Sequence, residues 1–211
     1  MTESTSPAPS GSGMLRPGGR TARVRGAVLR AAEDALVEAG FAGLDLGDVA
    51  RRAEVGRTTV YRRWGSAGAL LADVLADMAE QSLPRSRTGS LREDLRANAH
   101  LVRRTLADPR QGALFRAVLV AGACDPAAAE ALHRFYRIRL DEWAPCVTEA
   151  VGRGEIPPGT DPREVVRAVS APLYHRMLTS ADPLDEAAAD RAADAALAAA
   201  RAGAFVSPPA G

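Results

Sequence analysis

The sequence predicts an all-α protein of about nine helices, and three observations predict it. Apolar residues recur at steps of three and four through most of the chain. Four Asp-Pro pairs punctuate it, at Asp108-Pro109, Asp125-Pro126, Asp161-Pro162 and Asp182-Pro183. No stretch alternates apolar and polar residues over the length of a strand.

The elements follow in order. Residues 1–19 are rich in Ser, Pro, Gly and Thr and predict a disordered arm. A first helix spans about 21–39, with Val24, Val28, Ala31, Ala32, Ala35 and Leu36 on one face. Gly40 closes it as a C′ glycine, and Phe41 supplies the apolar contact that accompanies such turns. A tight cluster then runs from Leu46 to Trp64, and another helix starts after Ser66, a good N-cap. Pro84 to Ser90 reads as a loop, with helices at about 91–107 and 111–123 beyond it. Asp accepts hydrogen bonds from free helix amides, and Pro at the first helical position has no amide to waste. Three of the Asp-Pro pairs therefore predict helices at 126–152, 162–179 and 183–203. Residues 206–211 read as a flexible tail. The expected domains are 20–66, a helix-turn-helix unit, and 67–205, a helical body.

Composition narrows the function. Hydrophobic content of 46% and charged content of 25% are ordinary for a globular chain, while aromatics at 4% leave a core of Ala, Leu and Val. A net charge of +1 excludes a generic polyanion binder. The distribution says more: residues 1–64 carry ten Arg against seven acids, and residues 65–211 carry seventeen Arg against nineteen. Every basic residue is Arg, which reflects a bias towards Arg, Ala and Gly. Cys124 and Cys146 show no metal-ligand spacing, so structural zinc is not expected; reduced thiols and a disulfide both remain open. The polar N-terminus carries no signal peptide, and no apolar run is long enough to span a membrane, so the expected location is the cytoplasm. His100, His133 and His175 stand isolated, with no catalytic triad order, phosphate loop or HExxH motif, so neither enzyme chemistry nor a cofactor is expected.

The informative stretch is Leu46 to Trp64. Asp45 is placed to cap a short helix over 46–53, with Val49, Ala50 and Ala53 buried and the two alanines small enough to admit a crossing helix. Glu54-Val55-Gly56 makes the turn, and Arg57 to Trp64 forms the second helix with Val60 and Trp64 inward. Arg57, Thr58, Thr59, Tyr61, Arg62 and Arg63 are left outward. Arg57, Thr58 and Thr59 sit in the first turn, the part that reaches base edges in the major groove. An arginine there can bond guanine O6 and N7 together. Tyr61, Arg62 and Arg63 suit phosphates, which fix register without reading sequence, and Ser66 begins a helix whose amides can hold another.

Val49 to Trp64, followed by Ala69-Leu70-Leu71, closely resembles the DNA-binding signature of the TetR family, over about residues 21–75. The resemblance implies a homodimer, a palindromic or near-palindromic double-stranded operator, and a ligand-binding body. It places base contacts on Arg57, Thr58 and Thr59, the phosphate-contacting tyrosine on Tyr61 and the hydrophobic anchor on Trp64. Two positions depart from the family pattern. Gly56 replaces the usual Ser at the start of the reading helix, and Ala67 replaces the usual Lys, which removes one phosphate contact. Ser90-Leu-Arg-Glu-Asp-Leu95, Arg153-Gly-Glu-Ile-Pro-Pro158 and Ala171-Pro-Leu-Tyr-His-Arg176 resemble a large subgroup of TetR C-terminal domains whose ligands vary.

In the body, Pro145 is expected to kink the 126–152 helix beside Trp143 and open space in an Ala-packed core. Candidate pocket residues are Phe115, Phe135, Tyr136, Trp143 and His175, aromatics that also serve as plain core. Val165, Val169, Leu173 and Met177, with Leu197 on the Ala-rich last helix, are candidates for the dimer face. Two other functions stay open on these residues: a helix-turn-helix protein without effector control, and a helical small-molecule-binding protein or enzyme.

Overall fold

The computed structural model describes residues 18–82 and 84–207. Among these lie nine α-helices: α1 (Gly18–Ala39), α2 (Leu46–Arg52), α3 (Arg57–Arg63), α4 (Ala67–Glu80), α5 (Leu91–Ala107), α6 (Pro109–Cys124), α7 (Pro126–Gly152), α8 (Pro162–Thr179) and α9 (Glu186–Arg201). A 3-10 turn over Phe41–Gly43 joins α1 to α2. The fold class is the one predicted.

The expected arm lies outside the described residues up to residue 17, and its last two glycines, Gly18 and Gly19, already belong to α1. The tail expectation is corrected at its start. Val206 forms an antiparallel bridge with Thr160, and the Ser207 amide donates to the Gly159 carbonyl at 3.1 Å. Residues 208–211 lie outside the described residues.

Aspartate caps set most helix starts. Asp45, Asp125 and Asp161 accept amides of the first turns of α2, α7 and α8. Two expected boundaries move. Asp108 accepts from the Arg110 and Gln111 amides, so α6 opens at Pro109 rather than 111. The last helix opens at Glu186 rather than 183, because Asp185 caps it by accepting from the Ala188 amide at 2.8 Å. The Asp182 carboxylate is turned back to the Ser180 hydroxyl at 3.1 Å, a local bond that competes with capping.

In the front unit, α1 to α3 pack around Val49, Ala50 and Val60, all fully buried. Gly40 has φ 66, as the C′ position requires. The turn between α2 and α3 holds Glu54 at φ 54, with its amide on the Arg51 carbonyl and the Val55 amide on the Ala50 carbonyl. A side chain at left-handed φ costs roughly 1 kcal/mol, and Glu54 is exposed, so nothing offsets the strain. Glu54→Gly is expected to raise the melting temperature by about 1–3 °C in a thermal scan, the gain trimmed by glycine's greater unfolded-chain entropy.

Helix α4 ties this unit to the body, packing on both α1 and α7. Its second residue, Gly68, permits the approach: a Cβ there would stand 2.8 Å from Asp125 Oδ1 and 3.0 Å from the Ala127 methyl. Behind it the body is a bundle in which α5 packs on α8 and α9, and α6 lies between α1 and α7. One continuous core of Leu, Val and Ala runs through both parts. Helix α7 continues through Pro145, which sits on its exposed side. Among the described residues no helix is long and apolar enough to cross a membrane.

Candidate nucleic-acid interface and ligand cavity

Helix α3 stands at the surface with one buried side chain, Val60. Arg57, Thr58, Tyr61, Arg62 and Arg63 are exposed and Thr59 half-buried, so the six outward residues read from the sequence share a solvent-facing surface. Arg57 lies over the Tyr61 ring, 5.9 Å from its centroid, and Arg63 lies 5.1 Å from the Trp64 centroid. The Arg57 guanidinium also rests on α2, where a Cβ at Gly47 would come within 2.9 Å of Nη2.

Charge pairing separates the two helices of the motif. On α2, Arg51 binds Asp48, and Arg52 binds both Asp48 and Glu38, so these arginines are neutralised locally. On α3, no carboxylate among the described residues comes within salt-bridge distance of Arg57, Arg62 or Arg63. Three arginines without a salt bridge on one exposed helix, of which Arg63 alone feels Asp73 at longer range, are what a polyanion's phosphates require. Ser66 is exposed and its hydroxyl oxygen accepts the Ala69 amide at 3.1 Å, capping α4.

The end of α3 is anchored from below. Trp64 is 8% exposed, and its indole N–H donates to Asp73 Oδ2 on α4 at 3.0 Å. Arg25 of α1 donates to the same carboxylate through Nε and Nη2, the latter at 2.7 Å, and to Asp77 through Nη1 at 2.6 Å. Burial pushes the Asp73 carboxyl up, but the hydrogen bonds from Arg25 and Trp64 outweigh it and hold the group below its ordinary range. Sequence reading placed Trp64 as an anchor and missed Arg25 and Asp73. An Arg on the first helix and two acids four apart on the fourth were the available signal. A second link joins body to reader: Arg110 at the start of α6 binds Asp34 of α1 at 2.6 Å and lies 3.7 Å from Glu33.

The body holds a partly open cavity of about 370 Å³ between α1 and α4 to α8. Phe115, Phe135, Tyr136 and Trp143 line it, and Tyr174 completes the aromatic wall. The Phe115, Phe135, Tyr136 and Tyr174 rings run in a closed chain with centroids 5.5–6.0 Å apart and steep interplanar angles. The Tyr136 and Tyr174 hydroxyls bond each other, and burial pushes the Tyr174 phenol up to about 12. His175 is a correction. It is exposed and sits in an outer groove, because one residue along a helix turns the side chain by about 100° and Tyr174 takes the inward place. Sequence reading also missed Tyr174 and Asn98. Val166, Ser170 and Tyr174 step by four along α8 and all reach the cavity, and Asn98 breaks the apolar stripe of α5.

Four of the five dimer candidates have no surface to offer a partner. Val165, Val169, Leu173 and Leu197 are buried in the protomer's own core, and Met177 is half-buried against it. Helical periodicity finds the inward stripe but does not say whether a stripe faces its own bundle or a partner. The outer face of α8 and α9 instead carries a shallow groove of about 440 Å³ that includes Pro172, His175, Thr179, Arg191 and Ala195. Leu178 lies on the same helix, 52% exposed. Cys124 is exposed and Cys146 buried, both free, and burial pushes the Cys146 thiol up to about 12.

An exposed arginine-rich second helix on a helical body defines a helix-turn-helix DNA-binding regulator. Comparison with known proteins agrees. Residues 28–74 match the family described as bacterial regulatory proteins, tetR family, and residues 85–196 match the tetracyclin repressor-like C-terminal domain. The chain belongs to the TetR family of transcriptional regulators. It is similar to the HTH-type transcriptional regulator AqdR of Rhodococcus erythropolis, 33% identical over 166 residues that cover 76% of this chain and 79% of the relative. It is also similar to the DNA-binding transcriptional repressor TetR of Mycobacteroides abscessus, 32% identical over 170 residues, 80% of this chain and 88% of the relative. The fold is that of the SmeT–triclosan complex, with a TM-score of 0.64 at 22% identity, covering 89% of this chain and 99% of that one.

Proposed function

We propose that the protein is a cytoplasmic, non-enzymatic repressor that binds a palindromic operator as a homodimer and leaves it when a small molecule enters the body. The carrying observation is the contrast between the salt-bridged arginines of α2 and the exposed Arg57, Arg62 and Arg63 of α3, which form no salt bridge among the described residues. On this reading Arg57, Thr58 and Thr59 reach base edges. Tyr61, Arg62, Arg63 and the α4 start at Ser66 hold phosphates.

The ligand half rests on the aromatic cavity, whose wall includes Glu33 of α1 and Met78 of α4. An occupant therefore touches the helices that position α3. A ligand that prefers a conformer with another spacing between the two recognition helices shifts the population away from DNA, since half-sites lie about 34–36 Å apart. A relative of the same fold is described in complex with triclosan, which supports a small, largely apolar ligand for this body.

Selection of bound DNA from a random pool tests the first half, with a two-fold symmetric site expected. An enriched sequence without symmetry, or no enrichment, overturns the reading. The dimer face is assigned to the outer groove of α8 and α9. Ala195→Glu places a charge there without entering the core, because Ala195 is exposed. Light scattering is expected to give half the wild-type mass for this variant, with helicity unchanged.

A further inference from the structure

Gly47 is the second residue of α2, and its φ lies outside the left-handed region, so the backbone makes no demand for glycine there. A glycine inside a helix weakens it relative to alanine. What a side chain at this position would meet is the arginine that opens α3. The three atoms nearest to a Cβ built on Gly47 all belong to side chains: Arg57 Nη2 at 2.9 Å, Asp45 Oδ1 at 3.0 Å and Arg57 Cζ at 3.1 Å. Asp45 is already engaged, its Oδ1 accepting from the Asp48 amide at 2.8 Å. The Arg57 guanidinium therefore touches two helices, the bare backbone of α2 at Gly47 and the Tyr61 ring of α3. Among the described residues no acceptor takes any of its N–H groups, so this seat orients the fork and leaves its donors open.

We infer that Gly47 is a specificity-determining residue of the reader: its missing side chain seats the Arg57 guanidinium and fixes the direction from which that fork meets a guanine edge. This deepens the assignment of Arg57 to base contact above and rests on it. A bidentate bond to guanine O6 and N7 sets both the position and the plane of the guanidinium. A freely rotating arginine gives up much rotamer freedom when it docks, and one already seated gives up less. A methyl group at residue 47 takes the seat away and leaves Arg57 itself in place. Stability and recognition then move in opposite directions, because alanine favours the helix while it displaces the arginine.

The test is Gly47→Ala, made in the wild-type chain and in Arg57→Ala. Each full-length protein is put through selection from a random duplex pool and then titrated against the site that wild type selects. Gly47→Ala is expected to melt no lower than wild type and to bind that site about tenfold more weakly. Its guanine preference is expected to relax at the one half-site position that Arg57→Ala also relaxes, with the other positions unchanged. In the Arg57→Ala background the same substitution is expected to change affinity less than about threefold. If crowding of the Asp45 cap lowers the melting temperature, the cycle still decides. A cap defect weakens binding in both backgrounds alike, and a lost seat weakens it only where Arg57 is present. An unchanged preference in Gly47→Ala, a loss spread evenly over all positions, or an equal loss in the Arg57→Ala background overturns the inference and leaves operator binding by α3 standing. Selection of the same site by wild type and Arg57→Ala removes Arg57 from base contact, and the inference with it. Failure of wild type to enrich any sequence overturns the inference and the operator reading together.

Discussion

A protein carrying Arg57→Ala together with Tyr61→Phe is expected to bind its selected operator at least about 100-fold more weakly than wild type, with its melting temperature unchanged. Both side chains are exposed, Tyr61 at 42%, and neither forms part of the core, so removing their tips opens no cavity. Their mutual contact, 5.9 Å from guanidinium to ring centroid, is worth only about 0.5–1 kcal/mol at an exposed site. The loss on DNA is larger because it is doubled. A bidentate arginine–guanine contact discriminates by roughly 1–3 kcal/mol, and a two-fold dimer makes it at each half-site. Removal of a phosphate-bonding hydroxyl adds to this without altering sequence preference. An Arg62→Ala control separates the roles: it should weaken all sequences alike and reduce the salt dependence of binding, whereas Arg57→Ala should relax the preference at one operator position. The measurement is a gel shift across a salt series. Equal binding by wild type and the double variant would remove α3 from the interface.

Most of the fold was legible because local chemistry set it. Aspartate followed by proline leaves few structures open, and α7 and α8 begin and end where those pairs and the apolar period place them. The start of α9 moved because two local signals compete there, at Asp182 and Asp185. The outward face of α3 was legible for a related reason: in a seven-residue helix with Val60 inward, the remaining residues have nowhere to go but solvent. The body was harder. An apolar stripe such as Val165, Val169 and Leu173 states that a face is buried but not by what, and here the protomer's own α5 and α9 cover it. The cavity wall depends on which aromatics converge from three helices, a long-range property. His175 and Tyr174 are neighbours in sequence, yet about 100° of helical turn sends one to the outer groove and the other to the cavity, which is the resolution at which composition fails.

Asp73→Ala is expected to lower the melting temperature at pH 7 by about 5–10 °C, the largest effect of any single exposed-to-half-buried change in the front unit. The carboxylate receives Arg25 of α1 and the Trp64 indole at once, so its loss leaves Arg25 with Asp77 alone and strips the buried indole N–H of its acceptor. Removing one partner of a buried ion pair costs roughly 3–5 kcal/mol. Side chains about a quarter exposed keep some water, so a figure of about 2–3 kcal/mol is appropriate here. For a chain of this size that corresponds to the stated shift in melting temperature. The pH dependence gives an independent check. Asp73 is held below its ordinary range, so its contribution is full above the unfolded carboxylate value of about 3.9 and is lost as pH falls through the lower folded value. The gap between wild type and Asp73→Ala should therefore be constant from about pH 7 to 5 and close below about pH 4. Other depressed carboxylates, Asp48, Glu149 and Glu155, are common to both proteins and cancel in the difference. Asp73→Asn should fall between the two, because an amide oxygen still accepts from Trp64 but no longer neutralises Arg25. If DNA affinity drops in Asp73→Ala while the protein remains folded, the anchor beneath Trp64 holds α3 in register for the duplex. A gap that persists unchanged to pH 3 would mean that the carboxylate's charge contributes nothing and that the loss is one of packing.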